Sequence, residues 1–433
     1  MQLYSTRNPH EFVSLKYAVI KGLPDDNGLF MPSAIPPLEA SFFRDIDHYS
    51  FQDIAFVVSR AMIGPEIPDA DLRGLIEVSI TFDAPLVRLD EQHYVLELFH
   101  GPTLAFKDFG ARFMAQLMSY FVQKEQEKLY ILVATSGDTG GAVASGFYEA
   151  PGIEVIILYP SGKVSGLQEK QLTTLGHNIT ALEIDGTFDD CQAIVKQAFL
   201  DEKLNRRLHL TSANSINIAR LIPQSFYYFR AWQQLPEREL PFVFSVPSGN
   251  FGNLTAGLFA QRMGLPATQF LAANNVNDIV PQYLTSGQFL PRPSMPTISN
   301  SMDVGNPSNF ARMLDLFDLR LSAARNAISG YAFQDTETRA AIREIYEQYG
   351  YVMDPHGAVG YLALCAFLGQ FPAMRGIILE TAHPAKFPEV VEQETGRTVQ
   401  IPERLAVLAK REKVSVKLGK AYADTRAFLM KLS

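Results

Sequence analysis

Lys107 stands between Phe106 and Phe109 in the stretch HGPTLAFKDFGARFMA. A lysine held among apolar groups loses solvation of its ammonium, its pKa falls, and the neutral amine becomes a nucleophile able to form a Schiff base. The other reading is that the phenylalanines are core residues and Lys107 snorkels past them to water. Four loops carry further chemistry. In VPSGNFGNLTAG, Gly249 and Gly252 follow an apolar run and precede a helical pattern. Main-chain N–H groups there can close on a phosphate at a helix N-terminus, or the segment is a tight turn with Asn250 and Asn253 in turn roles. It is neither a Walker loop nor a dinucleotide fingerprint. In TSGDTGGAV, Ser136, Gly137 and Thr139 offer small donors to a carboxylate or phosphate, unless Asp138 or Thr139 simply caps the helix. NSINIARLIPQ sets Ser215, Asn217 and Arg220 at another junction, where arginine can fork onto a phosphate or remain solvated. LETAHPAKF places Thr381, His383 and Lys386 after a strand, with too few acidic or cysteine neighbours for a metal. Asp354, before Pro355, reads as a helix N-cap; the role of His356 stays open between a structural one, by the same helix-start logic, and a functional one.

These residues need a scaffold that presents loops. Residues 1–92 carry many Pro and Gly and one helical pattern around SFQDIAFVVSRAMIG, and read as an accessory N-terminal unit. From residue 93 apolar runs alternate with helical segments: HYVLELF, LYILVA, EVIILY, NITALEI and LHLTS, then FVFSV, TQFLAANN and GIILET. Between the first two runs, Phe109, Phe113, Leu117 and Phe121 recur at four-residue spacing and predict an amphipathic helix. A helix is expected around AVASGFYEA and another over 187–204. The alternation predicts an α/β fold of two doubly wound, mostly parallel sheets over 93–235 and 236–433, with ligands at the carboxyl ends of the strands.

The chain has 433 residues, 47 % of them hydrophobic and 19 % charged, with a net charge of −8. That is a globular composition without the basic excess of a nucleic-acid surface. Cys191 and Cys365 show no CxxC spacing and read as reduced core thiols. No secretory signal pattern opens the sequence, and no uncharged run approaches the roughly 20 residues of a membrane span. A cytoplasmic protein, monomeric or homodimeric, with a small-molecule substrate is expected.

One lysine in an aromatic setting, a phosphate-type loop and a carboxylate-type loop are together what pyridoxal 5′-phosphate needs to act on an amino acid. The segments STRNP, HGPTLAFKDFG, ATSGDTGGA, NSINIARLIPQ, SGNFGN, MDVGNPSNFAR and ETAHPAKF, in that order, resemble the threonine synthases of the fold type II, tryptophan synthase β-like group of pyridoxal-phosphate enzymes. The resemblance implies that Lys107 is the imine lysine and the acid/base. It implies that Gly249, Asn250, Phe251, Gly252 and Asn253 hold the cofactor phosphate, and that Thr381 meets the pyridine nitrogen. Ser215, Asn217 and Arg220 would take the substrate phosphate, and Ser136, Gly137 and Thr139 its carboxylate. The implied reaction converts O-phospho-L-homoserine and water to L-threonine and phosphate. Many fold type II relatives have asparagine, bonded to the cofactor 3′-oxygen, where this chain has Asp138; a carboxylate there is expected to be protonated or turned away. A serine/threonine dehydratase would not need the Ser215–Arg220 site. A phospho-lyase would need it equally, and a non-catalytic phosphometabolite-binding protein leaves Lys107 unexplained.

Overall fold

Runs buried on both faces become the central strands of parallel sheets, which is why they read as unbroken apolar stretches. The computed structural model describes residues 1–125, 128–135 and 137–432. Its strands are β1 (Gln2–Ser5), β2 (Asn8–Ser14), β3 (Phe30–Pro32), β4 (Leu86–Arg88), β5 (His93–Glu97), β6 (Leu129–Ala134), β7 (Ile153–Pro160), β8 (Ile179–Asp185), β9 (His209–Thr211), β10 (Phe242–Pro247), β11 (Gln269–Asn274), β12 (Ile328–Ala332), β13 (Arg375–Glu380) and β14 (Val416–Gly419). The described residues form a five-stranded parallel sheet, ordered β14-β8-β7-β6-β9. A six-stranded sheet, ordered β12-β11-β10-β13-β5-β4, is parallel except at β4. The N-terminal unit adds a small antiparallel sheet, β2-β1-β3.

The expected boundaries at 92/93 and 235/236 do not separate the two large sheets. β4 and β5 pair into the six-stranded sheet, and β14, near the C-terminus, closes the edge of the five-stranded one. The chain therefore crosses between sheets early and returns late.

The helix Lys107–Glu125 carries the chain from β5 to β6. Its apolar stripe, Phe109, Phe113, Leu117 and Phe121, is buried as the spacing predicts. The helix expected around Ala142 instead spans Asp138–Gly146. Gly140 belongs inside it because a Cβ there would lie 2.4 Å from Thr135 Cγ2 and 2.7 Å from Leu172. The single helix expected over 187–204 breaks into Phe188–Leu200 and Glu202–Asn205, because Asp201 turns extended and caps the second with a bond from Leu204 N. Among the described residues no helix is long and apolar enough to cross a membrane.

Candidate active site

The loops singled out by the sequence leave the carboxyl ends of β6, β9, β10 and β13, so the topology gathers them at one crevice. The segment before Lys107 runs beside the end of β13. Leu98 N donates to Glu380 O (3.0 Å), Phe106 N to Thr381 O (2.9 Å) and His383 N to Leu104 O (3.0 Å). This ladder sets Thr381 and Lys107 side by side at the start of a helix. Phe109 anchors that helix in the core against Phe51, Phe82 and Tyr227. Phe106 is half-buried, and the Lys107 Nζ lies 5.8 Å from its ring centroid. Lys107 is itself half-buried, and among the described residues its amine has no hydrogen-bond or ion-pair partner. Desolvation pulls its pKa down to about 8; Asp138 pushes it up, while Lys386 and Arg220 push it down. Of the two readings of this lysine, the desolvated one describes the amine.

Asp138 is ion-paired, which runs against the expectation that it is protonated. Burial alone would raise its pKa, but Lys386, Lys107 and Gln168 together hold it far below the usual carboxylate range. Lys386 Nζ lies 2.5 Å from Asp138 Oδ1, Gln168 Nε2 donates to the same oxygen (2.9 Å), and Ser301 Oγ reaches Oδ2 (3.3 Å). The charge is answered by a buried lysine that the sequence reading noticed but gave no role. Lys386 also donates to Thr103 O (3.1 Å), and the Asp108 carboxylate takes Thr103 N and Oγ1 (2.8 and 2.7 Å), so both ends of this pair are fixed.

At the 135–141 loop, Thr135 Oγ1 accepts from Gly137 N (3.0 Å) and Gly140 N (2.8 Å). Neither Asp138 nor Thr139 is the cap; Gly137 is, with φ 146°. The Gly137 N–H is thus already used, and Thr139, half-buried and without a side-chain partner among the described residues, faces the carboxylate role without it. Ser136 lies outside the described residues.

The helix Gly252–Arg262 starts from Phe251 in the left-handed region, φ 60°, and Phe251 offers no capping side chain. Gly249 is required by close approach: a Cβ would lie 2.9 Å from Met302 Cα and 3.0 Å from Ser301 O. The side chains of this loop are spent on the protein. Asn253 bonds Pro247 O, Ser248 and Leu254 N, Asn250 Oδ1 accepts from Ser308, and Phe251 is buried. What remains for a phosphate among the described residues is main chain and the Nδ2 of exposed Asn250.

Arg220 is 3 % exposed and packs on Gly110 of the Lys107 helix, where a Cβ would lie 2.9 Å from its Nε. Nη1 goes to Ala213 O (2.7 Å), and no described residue takes Nε or Nη2. Burial lowers its pKa to about 10. Ser215 is half-buried with its hydroxyl unpartnered, and its Cβ would be 3.9 Å from a Cβ built on Gly252. Asn217 departs from expectation. It is fully buried, Oδ1 caps the next helix at Ala219 N (3.0 Å), and Nδ2 donates to Val19 O (2.9 Å). Its side chain has nothing left for a substrate phosphate. Both ring nitrogens of His356 are engaged by the protein: Nδ1 meets Asp354 Oδ2 (2.8 Å) and Nε2 accepts from Ser301 N (3.2 Å), while Asp354 caps its helix at Gly357 N (2.7 Å).

Residues 2–80 match the family described as threonine synthase N terminus, 81–379 pyridoxal-phosphate dependent enzyme, and 357–429 threonine synthase, C-terminal. A threonine synthase of Serratia marcescens is 46 % identical over 100 % of both chains. The chain belongs to the threonine synthase family. The crystal structure of the Escherichia coli threonine synthase matches with a TM-score of 0.93 at 45 % identity, covering 100 % of both chains. A pyridoxal-phosphate-bound threonine synthase from Brucella melitensis matches with a TM-score of 0.93 at 36 % identity, covering 100 % of this chain and 99 % of that one. Family membership makes this a pyridoxal-phosphate-dependent enzyme, and the crevice described above is its candidate active site.

Proposed function

We propose that the chain converts O-phospho-L-homoserine and water to L-threonine and phosphate, with pyridoxal 5′-phosphate bound at Lys107. The residues suit that cofactor. Lys107 supplies an unpartnered, desolvated amine for its aldehyde, and the Gly249–Gly252 main chain at an uncapped helix start suits its phosphate. Thr381 Oγ1, with no partner among the described residues, offers the pyridine nitrogen a neutral hydroxyl. When bound, the cofactor supplies an electron sink for charge that develops as C–H bonds at the substrate break. Lys107 would hold the cofactor through its amine and, with that amine free, would be the base placed to take and return protons at the substrate Cα and Cβ. Thr139 orients the substrate carboxylate at the start of its helix. Ser215 and Arg220 hold the γ-phosphate and stabilise it as it leaves.

One observation carries the choice of substrate: Arg220 is a buried guanidinium without an ion-pair partner among the described residues, packed on the lysine-bearing helix. A dehydratase has no use for it. Arg220→Ala should lower kcat/KM for O-phospho-L-homoserine by about 10- to 100-fold or more, and leave slow elimination from serine nearly unchanged. Paired steady-state assays decide; equal losses on both substrates would remove the phosphate role and reopen the dehydratase reading.

A further inference from the structure

We infer that the N-terminal unit is a working part of the substrate-phosphate subsite, and that Arg312 is the positioning residue that joins them. The inference rests on reading Ser215 and Arg220 as that subsite. Arg312, at the end of MDVGNPSNFAR, is fully buried and takes part in nothing assigned above. Its three nitrogens reach three parts of the chain: Nε donates to Phe30 O in β3 (3.1 Å), Nη2 to Ile216 O (2.6 Å) and Nη1 to Asn309 Oδ1 (2.7 Å). Asn309 in turn donates Nδ2 to Ser215 O (3.4 Å) and its main-chain N to Asn250 O (3.2 Å). One guanidinium therefore fixes the N-terminal unit, the Ser215 segment and the cofactor-phosphate loop in register.

A second brace lies on the other side of the same segment. Asn217 Nδ2 donates to Val19 O, and Gly22, φ 76°, approaches so closely that a Cβ would lie 3.3 Å from Thr211 Oγ1 and 3.4 Å from Asn217 Nδ2. Val19 O thus meets the segment that carries Ser215 directly, through Asn217, while Phe30 O meets it through Arg312, which also donates to Ile216 O.

The chemistry of Arg312 distinguishes it from a packing residue. Its acceptors are all neutral, and among the described residues no carboxylate pairs with it, so burial alone draws its pKa down to about 9. A desolvated, uncompensated cation is costly unless an anion occupies the neighbourhood. Bound phosphate supplies that anion without touching Arg312, through the weakly screened interior.

The test uses the full-length, cofactor-loaded enzyme with two probes, O-phospho-L-homoserine kinetics and calorimetric binding of inorganic phosphate. Arg312→Gln keeps one of the three donor groups and loses the charge; it should raise KM and weaken phosphate binding by about tenfold, with kcat and the cofactor absorbance changed much less. Arg312→Lys, which keeps the charge, should recover part of the loss. Gly22→Ala, made wholly within the N-terminal unit, should weaken phosphate binding in the same sense and remains informative if Arg312→Gln fails to fold. Unchanged phosphate affinity in Arg312→Gln and Gly22→Ala, or equal losses in kcat and in serine elimination, would overturn the inference. If Arg220→Ala still weakens phosphate binding while these variants do not, the subsite reading survives and the inference alone falls. If Arg220→Ala is also without effect, both fall.

Discussion

Lys107, Asp138 and Lys386 share one desolvated end of the crevice, where the two lysines hold the Asp138 carboxyl down and Asp138 in turn pushes the Lys107 pKa up. Lys107 must be neutral to attack an aldehyde, and its pKa of about 8 leaves a useful neutral fraction near neutral pH. Asp138 favours the ammonium, so removing its charge must lower the Lys107 pKa, and an uncompensated Lys386 pushes the same way. Asp138→Asn should therefore shift the midpoint pH of cofactor attachment downward by roughly one pH unit, followed by absorbance on adding pyridoxal 5′-phosphate to the apoenzyme. An upward shift would show that Asp138 does not act on Lys107 through charge. The aromatic neighbours of Lys107 fit a snorkelling lysine as well as a desolvated amine; its role was legible only beside the phosphate-type and carboxylate-type loops and the family resemblance. The Asp138–Lys386 pair was not, since it joins two distant loops that nothing in the local pattern connects.

Helix starts position the anion sites, and glycines decide how closely they can pack. Gly137 combines φ 146° with a Cβ position 2.6 Å from Gln168 Cδ, and Gln168 holds Asp138. Gly137→Ala should cost about 1–3 kcal/mol of strain and lower kcat/KM, because relief requires moving Gln168 off Asp138. Gly166→Ala, at a helix start where nothing lies within 4 Å of the new Cβ, is the matched control and should stay within about 0.5 kcal/mol. Chemical denaturation and steady-state assays on both variants check this; similar behaviour of the pair would refute it. The loops themselves were legible because small residues between an apolar run and a helical pattern have few uses. Which atoms remain free was not: Asn217 and the Gly137 N–H look available in sequence, yet are taken by Val19 O and Thr135 Oγ1.

At the scale of the molecule, the chain returns at its end to finish a sheet begun some 280 residues earlier in sequence, as the distance from β6 to β14 shows. β14 is short and mostly exposed, VKLG, so its sequence carries no alternation to read; only its partner β8 makes it a strand. By contrast LYILVA, buried along its whole length, could be read directly. Lys413 precedes β14 and bridges Glu169 (2.6 Å) and Glu183 (2.7 Å), the latter within β8. Burial alone would raise the Glu183 pKa, but Lys413, Ser161 and Ser415 hold it at about 2, below its ordinary 4.5. A carboxyl depressed in the folded state contributes stability that is full above the unfolded pKa and is lost as pH falls through the folded one. Lys413→Met should therefore destabilise the enzyme most above pH 4.5, and its difference from wild type should narrow as pH falls from there toward 2. Deleting residues 412–433 removes the pair, β14, and the helix Tyr422–Leu429 whose Tyr422 and Arg426 hold Asp201. That deletion should expose β8 as an edge and lower hydrogen-exchange protection in β8 and its neighbour β7, while β10, β11 and β13 keep theirs. Uniform loss of protection across both sheets would mean that they unfold as one unit. A pH-independent penalty for Lys413→Met would mean that its contribution is packing against Tyr159, whose ring centroid lies 5.8 Å from Nζ, rather than charge.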